Sequence, residues 1–415
     1  MTRRALAALV LSLILVSPCV RADFGRRLES EHFAIHYLAG TSEAAVSADY
    51  ARLVQTSLEA AYTFYVANGF DLHRSRIPVH IVETTYGELG AEYNDAAAGA
   101  LLPVIEIATP EILEEALAWM NVEVPFEDLV ASVCAHELFH VVQDVHAQDG
   151  IGDIAEDSFI EAHADAMAEF AVPEANDYIE AALELILAPD SVAFFHRTYD
   201  ASIFWIHLVD QYGMEALRDV MAASAVYDGR HAVDHAFADR GRTFFDLWTE
   251  FAIAFVTGAL RDAALFEAAN PLPDLDVVGS SASSAASALP PPVYRTTWIG
   301  QTLDVAWVNT SNARQVWPFA PEDVEGSALR VAHAYGIDVL DFASGTDASM
   351  QLVFAGDDET RFFVAAAVQT DGTWRIEPID RGVPAVIEGP FDRVRVLVTR
   401  AEAGTGTYSF AVSSP

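Results

Sequence analysis

The chain contains no lysine. All 23 of its basic residues are arginine, set against 61 aspartates and glutamates in 415 residues, for a net charge of −38. A surface this acidic makes nucleic acid and anionic membranes poor partners, because both carry the same sign of charge. No fold demands the absence of lysine; it fits a GC-rich coding bias, and an acidic, lysine-free surface would also suit a saline habitat. Cysteine is scarce as well. Of Cys19 and Cys134, the first lies in an N-terminal segment with the marks of a removable signal, so the mature chain cannot close an internal disulfide. Composition excludes wholesale disorder: 52% hydrophobic and 20% charged residues supply buried cores for two or three domains. No internal repeats are found.

Long apolar runs are missing everywhere except the start. Arg3 and Arg4, the apolar stretch 5–16 and the small-residue site Val20-Arg21-Ala22 predict a signal peptide over 1–22. The run is shorter than the roughly 20 residues that span a bilayer. A membrane anchor is one alternative, and a lipoprotein through Cys19 another, the latter opposed by Pro18. The expectation is an exported protein, periplasmic or extracellular, with no membrane span after signal removal. Losing Arg3, Arg4 and Arg21 takes the charge to −41.

Beyond the signal, alternation predicts strands over 31–38, 76–83 and 98–108 and apolar spacing predicts a helix over 42–68, with 98–108 as the candidate sheet edge. A helix over 125–145 opens on Pro125, with Glu127 and Asp128 favourable to its N-terminal dipole. A further helix is expected over 157–171, and 174–267 reads as mostly helical. Residues 279–292 (GSSASSAASALPPP) are a linker by composition. After it, short alternating segments and the turn pair Asp371-Gly372 predict an antiparallel β-sandwich. The expected class is α+β. The expected divisions are signal 1–22, catalytic subdomain 23–172, helical subdomain 173–276, linker 277–293 and β-sandwich 294–415. A chain ending near Ser284 is expected to fold and stay active, because such a linker implies few contacts across it.

Within the 125–145 helix stands His136-Glu137-Leu138-Phe139-His140. An HExxH run places two imidazoles one turn apart on one face, able to reach one metal at about 2.0 to 2.1 Å, with a carboxylate beside them as general base for a metal-activated water. A catalytic zinc needs a third protein ligand. His146 has the metzincin spacing, but Gln143 occupies the position of the obligatory glycine, so the helix should continue and carry His146 to another face. Cys134, two residues before His136, faces away and reads as a packing thiol. His163 reads as a polar surface residue.

Glu161, followed by Asp165 one turn later, resembles the Glu-x-x-x-Asp of the gluzincins, the superfamily of thermolysin and its relatives. That resemblance implies a zinc site of His136, His140 and Glu161, with Asp165 holding His136 in one tautomer. A capping box through Ser158 is the alternative reading of Glu161. The stretch 197–213 resembles the segment that follows the zinc site in aminopeptidase-like gluzincins, and implies Tyr199 as oxyanion donor, with His231, His235 and His196 as rivals. The Gly-x-Met-x-Asn of the aminopeptidase edge strand is not matched by Gly99-Ala100-Leu101-Leu102-Pro103, which favours an endopeptidase. The resemblance covers about residues 30–260. It implies an exported zinc metallopeptidase acting on protein or peptide substrates, with Glu137 and Tyr199 as the catalytic pair. A non-catalytic binding or surface protein of zincin fold, or a zinc hydrolase of a non-peptide amide, stands as the alternative.

Overall fold

The computed structural model describes residues 25–38, 46–72, 75–84, 88–95, 102–118, 120, 123–146, 157–187, 194–227, 229–265, 295–298, 301–304, 308–310, 313–316, 330–333, 335, 337–343, 349–356, 361–401 and 405–413. The expected signal 1–22 and linker 277–293 lie outside them. The fold is α+β. The chain divides into two compact units, Met1–Ile151 with Ala164–Asp177, and Gly152–His163 with Tyr178–Pro415.

The first unit is built on a five-stranded sheet in the order β1-β2-β3-β5-β4. Strands β2 (Phe33–Tyr37), β3 (Ile77–Val82) and β5 (Leu102–Ala108) are parallel neighbours, while β1 (Arg26–Glu29) and β4 (Gly90–Asp95) run antiparallel at the two edges. Ile77, Val79 and Ile81 of β3 and Ile105 and Ile107 of β5 are all but inaccessible, as alternate residues of strands covered by helices should be. Helix α1 (Ala48–Ala67) is capped by the Ser47 hydroxyl, which accepts from the Tyr50 backbone N–H at 3.0 Å. Between β5 and helix α3 (Phe126–His146) lies the short helix α2 (Pro110–Leu117). Buried hydroxyls tie the layers: Tyr65 donates to the Ala135 carbonyl of α3 at 2.8 Å, and Tyr50 to the Ala108 carbonyl of β5 at 2.6 Å.

One expectation is corrected here. Residues 102–108 form an interior strand with partners on both sides, and the edge beside α3 is β4. Its sequence, Gly-Ala-Glu-Tyr-Asn-Asp, has no apolar alternation to betray it, whereas Val104, Ile105 and Ile107 have the near-continuous apolar character of a strand buried on both faces.

Helix α4 spans Asp157–Ala171, with residues 157–163 assigned to the second unit and 164–171 to the first. The second unit continues with α5 (Tyr178–Leu187), α6 (Ser202–Tyr212), α7 (Met214–Ser224), α8 (Gly229–Ala236) and α9 (Phe244–Thr257), the last opened by a capping box between Thr243 and Asp246. The C-terminal strands are β6 (Arg295–Trp298), β7 (Gln301–Asp304), β8 (Val308–Thr310), β9 (Ala313–Val316), β10 (Arg330–His333), β11 (Asp338–Ala343), β12 (Met350–Gly356), β13 (Phe362–Thr370), β14 (Thr373–Pro378), β15 (Ala385–Ile387), β16 (Arg393–Arg400) and β17 (Thr405–Ser413). They form an antiparallel sheet β15-β12-β17-β9-β8 with β10 also on β17, a second sheet β11-β16-β13-β14, and the hairpin β6-β7. Leu352, Phe354 and Ile387 of the first sheet share a core with Val364, Val368, Val394, Val396 and Val398 of the second. Asp371 and Gly372 join β13 to β14 with φ of 49° and 74°, the left-handed pair that a two-residue hairpin requires.

These sheets are not loosely tethered to the helices. Helix α9 packs on β16 and β13, its Trp248 indole donating to Thr399 Oγ1 at 2.9 Å, while the Arg395 guanidinium of β16 donates to the Val256 carbonyl. This packing weighs against the expectation that the sandwich could be removed at Ser284 without loss: Trp248 is fully buried, and one side of its pocket comes from the C-terminal strands.

Candidate metal centre

Helix α3 has one polar strip in an otherwise apolar surface. Leu138, Phe139, Val141 and Val142 are fully buried, whereas His136 and His140 are only half-buried on a common face. Their Nε2 atoms stand 3.0 Å apart. Each outer nitrogen is engaged: His136 Nδ1–H donates to Asp165 Oδ1 at 2.9 Å, and His140 Nδ1–H donates to Gln143 Oε1 at 2.8 Å. With both Nδ1 atoms held as donors, both Nε2 lone pairs turn to the same point. Glu161, on α4, supplies a carboxylate oxygen, and the three donor atoms all lie within 4.8 Å of one another. These residues could hold a metal ion. The donor chemistry fits: two imidazoles and one carboxylate leave a fourth position open, and tetrahedral ligands at 2.0 to 2.1 Å are about 3.3 Å apart, close to the spacing of the two imidazoles.

The Glu161 alternative is not built. Helix α4 is already under way at Asp157, so Ser158 lies inside it, and its hydroxyl makes no hydrogen bond among the described residues. The Ser158 carbonyl instead accepts from the Trp205 indole of α6 at 2.7 Å. His146 is the last residue of α3, with its ring 6.4 Å from that of Phe70, and is not among the converging donors. Cys134 is fully buried, its thiol 3.9 Å from the Val54 carbonyl and pushed well above the ordinary thiol range by burial. His163 is corrected from surface residue to core: it is 3% exposed, with its ring 3.9 Å from Trp205 and 5.5 Å from Phe159, and burial lowers its pKa to about 3.

Glu137 is buried beside the two histidines, 6% exposed. Gly90 of β4 lies directly over it: a Cβ added there would fall 2.5 Å from Glu137 Cγ and 2.6 Å from Oε1. The edge strand thus approaches the HExxH carboxylate as closely as a bare backbone allows, which is what a glycine at that position provides.

Three residues of this neighbourhood were not foreseen. Glu92 of β4 has its pKa raised to about 8, by burial first and then by Asp144, whose carboxylate it meets through a hydrogen bond; Glu137 adds to the rise and His140 opposes it. Asp177 accepts from Ser132 Oγ at 2.9 Å, and its pKa is raised to about 6 by burial and then by the charge of Asp165. Gln143, which breaks the metzincin pattern, is the acceptor for His140; its spacing of three from His140 was readable, since i and i+3 share a helix face.

Tyr199 opens the 3₁₀ turn Tyr199–Ala201 and is 37% exposed. That turn is pinned by a buried Arg197–Asp200 ion pair and by the Thr198 backbone N–H donating to Asp200 Oδ1 at 3.0 Å. The rivals His231 and His235 are exposed on α8, the first 3.9 Å from Asp234 and the second stacked on Tyr227 at 4.5 Å. His196 closes the 3₁₀ turn Phe194–His196.

No protein-family model and no curated protein matches the chain. Among solved structures, a family GH115 4-O-methyl-α-glucuronidase with specificity for decorated arabinogalactans aligns over 74% of this chain, at 8% identity and a TM-score of 0.16. The chain spans 41% of that protein's length. The hydroxypropylphosphonic acid epoxidase of S. wedmorenis aligns over 51% of this chain and 97% of its own, at 11% identity and a TM-score of 0.13. Scores this low establish no common fold. No described helix is long and apolar enough to cross a membrane.

Proposed function

We propose that this protein is an exported zinc metallopeptidase of gluzincin type, hydrolysing peptide bonds at the centre formed by His136, His140 and Glu161. The observation that carries the reading is the convergence of those three donors within 4.8 Å, with Glu137 buried against them and Asp165 on the far nitrogen of His136. Zinc held there would bring the pKa of a water toward about 7 and polarise the scissile carbonyl. Glu137 takes the proton of the attacking water and delivers it to the leaving amine, so that one carboxylate serves as base and then as acid. Asp165 and Gln143 keep both imidazoles in the Nδ1–H tautomer, which leaves Nε2 as the coordinating atom. Tyr199 donates to the oxyanion of the tetrahedral intermediate. An extended substrate would lie along β4, the edge strand of the sheet among the described residues.

Internal cleavage is favoured over terminal cleavage, because Gly99-Ala100-Leu101-Leu102-Pro103 has neither the Met nor the Asn of the aminopeptidase motif; residues 99–101 lie outside the described residues, Leu102 and Pro103 belong to the interior strand β5, and the products of a digest test the preference. In a casein and mixed-peptide assay, His136→Ala, His140→Ala and Glu161→Ala are each expected to lose stoichiometric zinc, and Glu137→Gln to keep zinc while losing nearly all activity. Tyr199→Phe is expected to lower kcat about 10²-fold with little change in KM or zinc content. Full zinc in Glu161→Ala would overturn the ligand set; full activity in Glu137→Gln would overturn the peptidase mechanism.

A further inference from the structure

Glu161 is delivered to the metal centre by a helix whose back is packed on aromatic rings, and those rings lead to the C-terminal strands. Phe159, two residues before Glu161 on α4, points about 200° around the helix from it. Phe159 is 3% exposed and lies parallel to Phe195, with ring centres 6.1 Å apart at 15°. Phe195, half-buried, belongs to the 3₁₀ turn that precedes Tyr199, and its ring also meets Phe194 at 5.3 Å, Phe244 of α9 at 4.9 Å and Tyr335 at 5.3 Å.

Tyr335 comes from the turn between β10 and β11, C-terminal in sequence to residues 277–293. It is 4% exposed, and its ring meets Phe244 edge-on at 4.8 Å and stands 6.3 Å from that of Trp248. Its backbone is held in the left-handed region, φ 52°, by its N–H donating to the Arg400 carbonyl at 2.9 Å, while Arg230 donates to its hydroxyl at 3.4 Å. A bulky residue keeps such a conformation only when its surroundings over-determine it. Here the main chain is fixed by β16, and the ring is driven into the aromatic group behind α4.

We propose that Tyr335 is a positioning residue for the metal ligand Glu161, acting through Phe195 and Phe159. A packed aromatic stack passes displacement on, because close-packed interiors have no slack to absorb it. Ligand distances tolerate only about 0.2 Å, so a small retreat of Phe159 into space vacated by Tyr335 is enough to loosen the carboxylate. The C-terminal strands thereby set the affinity of the metal centre as well as packing on the helices. This inference rests on the ligand set given above.

The test is Zn²⁺ affinity of the full-length chain, measured by competition with a chromophoric chelator. Tyr335→Ala is expected to weaken binding about ten-fold or more, in the range found when groups that orient metal ligands are removed. Tyr335→Phe, which keeps the ring, should stay within about two-fold of the parent on the same scale. Ile387→Ala, in the interior of the sandwich, should lower Tm without changing zinc affinity. In a Glu161→Ala background the residual affinity of the two histidines should be indifferent to Tyr335→Ala, because the effect has lost the ligand through which it acts. Unchanged affinity in Tyr335→Ala, an equal loss in Ile387→Ala, or a loss that persists without Glu161 would each overturn the proposal. Should Tyr335→Ala fail to fold, Phe159→Leu probes the other end of the stack, with the same loss expected and unchanged affinity again overturning it. A parent protein that binds no zinc would instead refute the ligand set itself.

Discussion

Replacing Gly90 by alanine adds one methyl group directly over the proposed general base. The new carbon would lie 2.5 Å from Glu137 Cγ, 2.7 Å from Cδ and 2.6 Å from Oε1. Unbonded carbons settle at about 3.5 to 4.0 Å, so roughly 1 Å of relief must be found. Rotation of the carboxylate tip does not provide it, since Cγ is the nearest atom and Glu137 is already 6% exposed. Either β4 lifts from α3 or the whole side chain shifts. Overpacking of this kind costs about 1 to 3 kcal/mol of stability, and a misplacement near 1 Å at a reacting group costs about 10²-fold in rate, equivalent to about 2.7 kcal/mol of barrier. The atoms nearest the new methyl all belong to Glu137 and none to His136, His140 or Glu161, so zinc should remain stoichiometric. The assay pairs zinc content and thermal unfolding with kcat and KM on a peptide substrate. Retained zinc, a lower Tm and a kcat down about 10²-fold are expected. A Gly90→Ala protein with parental kcat would refute the argument, since it would mean either that β4 does not press on Glu137 or that Glu137 does not perform the proton transfer.

Acid should destabilise the metal-free protein through His163. Its ordinary pKa of 6.5 falls to about 3 on burial, so between these values the unfolded chain binds a proton that the folded chain refuses, and stability declines as pH falls from 6.5 towards 3. At pH 5 that loss is about 2 kcal/mol, and His163→Phe should remove most of it; denaturant titrations at pH 7 and 5 with equal losses in parent and variant would contradict this. A chain ending at Ser284 is expected to be insoluble or to lose cooperative unfolding, because it strips Thr399 and Tyr335 from around Trp248 and Phe244. A soluble, active truncation would restore the reading of a separable sandwich.

Much of the first unit's frame was legible because it is written in periodic apolar residues. Helices over 125–145 and 157–171 and strands over 31–38 and 76–83 match α3, α4, β2 and β3 within a few residues, since core-facing positions at periods of 3.6 and 2 leave their mark in any order of assembly. The HExxH face was equally readable: one turn of helix brings His136 and His140 together whatever surrounds them. Strand β4 offered no such signal. Its Gly-Ala-Glu-Tyr-Asn-Asp carries no apolar pattern, and nothing local to that strand says that Gly90 must lie against Glu137.

What the sequence settled by itself is whatever depends on neighbours along the chain: the class of the elements, the pair of imidazoles one turn apart, and Glu161 with Asp165 one turn apart on α4. Tertiary structure alone decided which strand closes the sheet beside α3, that His163 is sealed among Phe159 and Trp205, that Glu92 meets Asp144, and that Tyr335 reaches the rings behind Glu161. Each of these depends on which segments fold against one another. A local pattern records how a segment is buried, and it does not record what buries it.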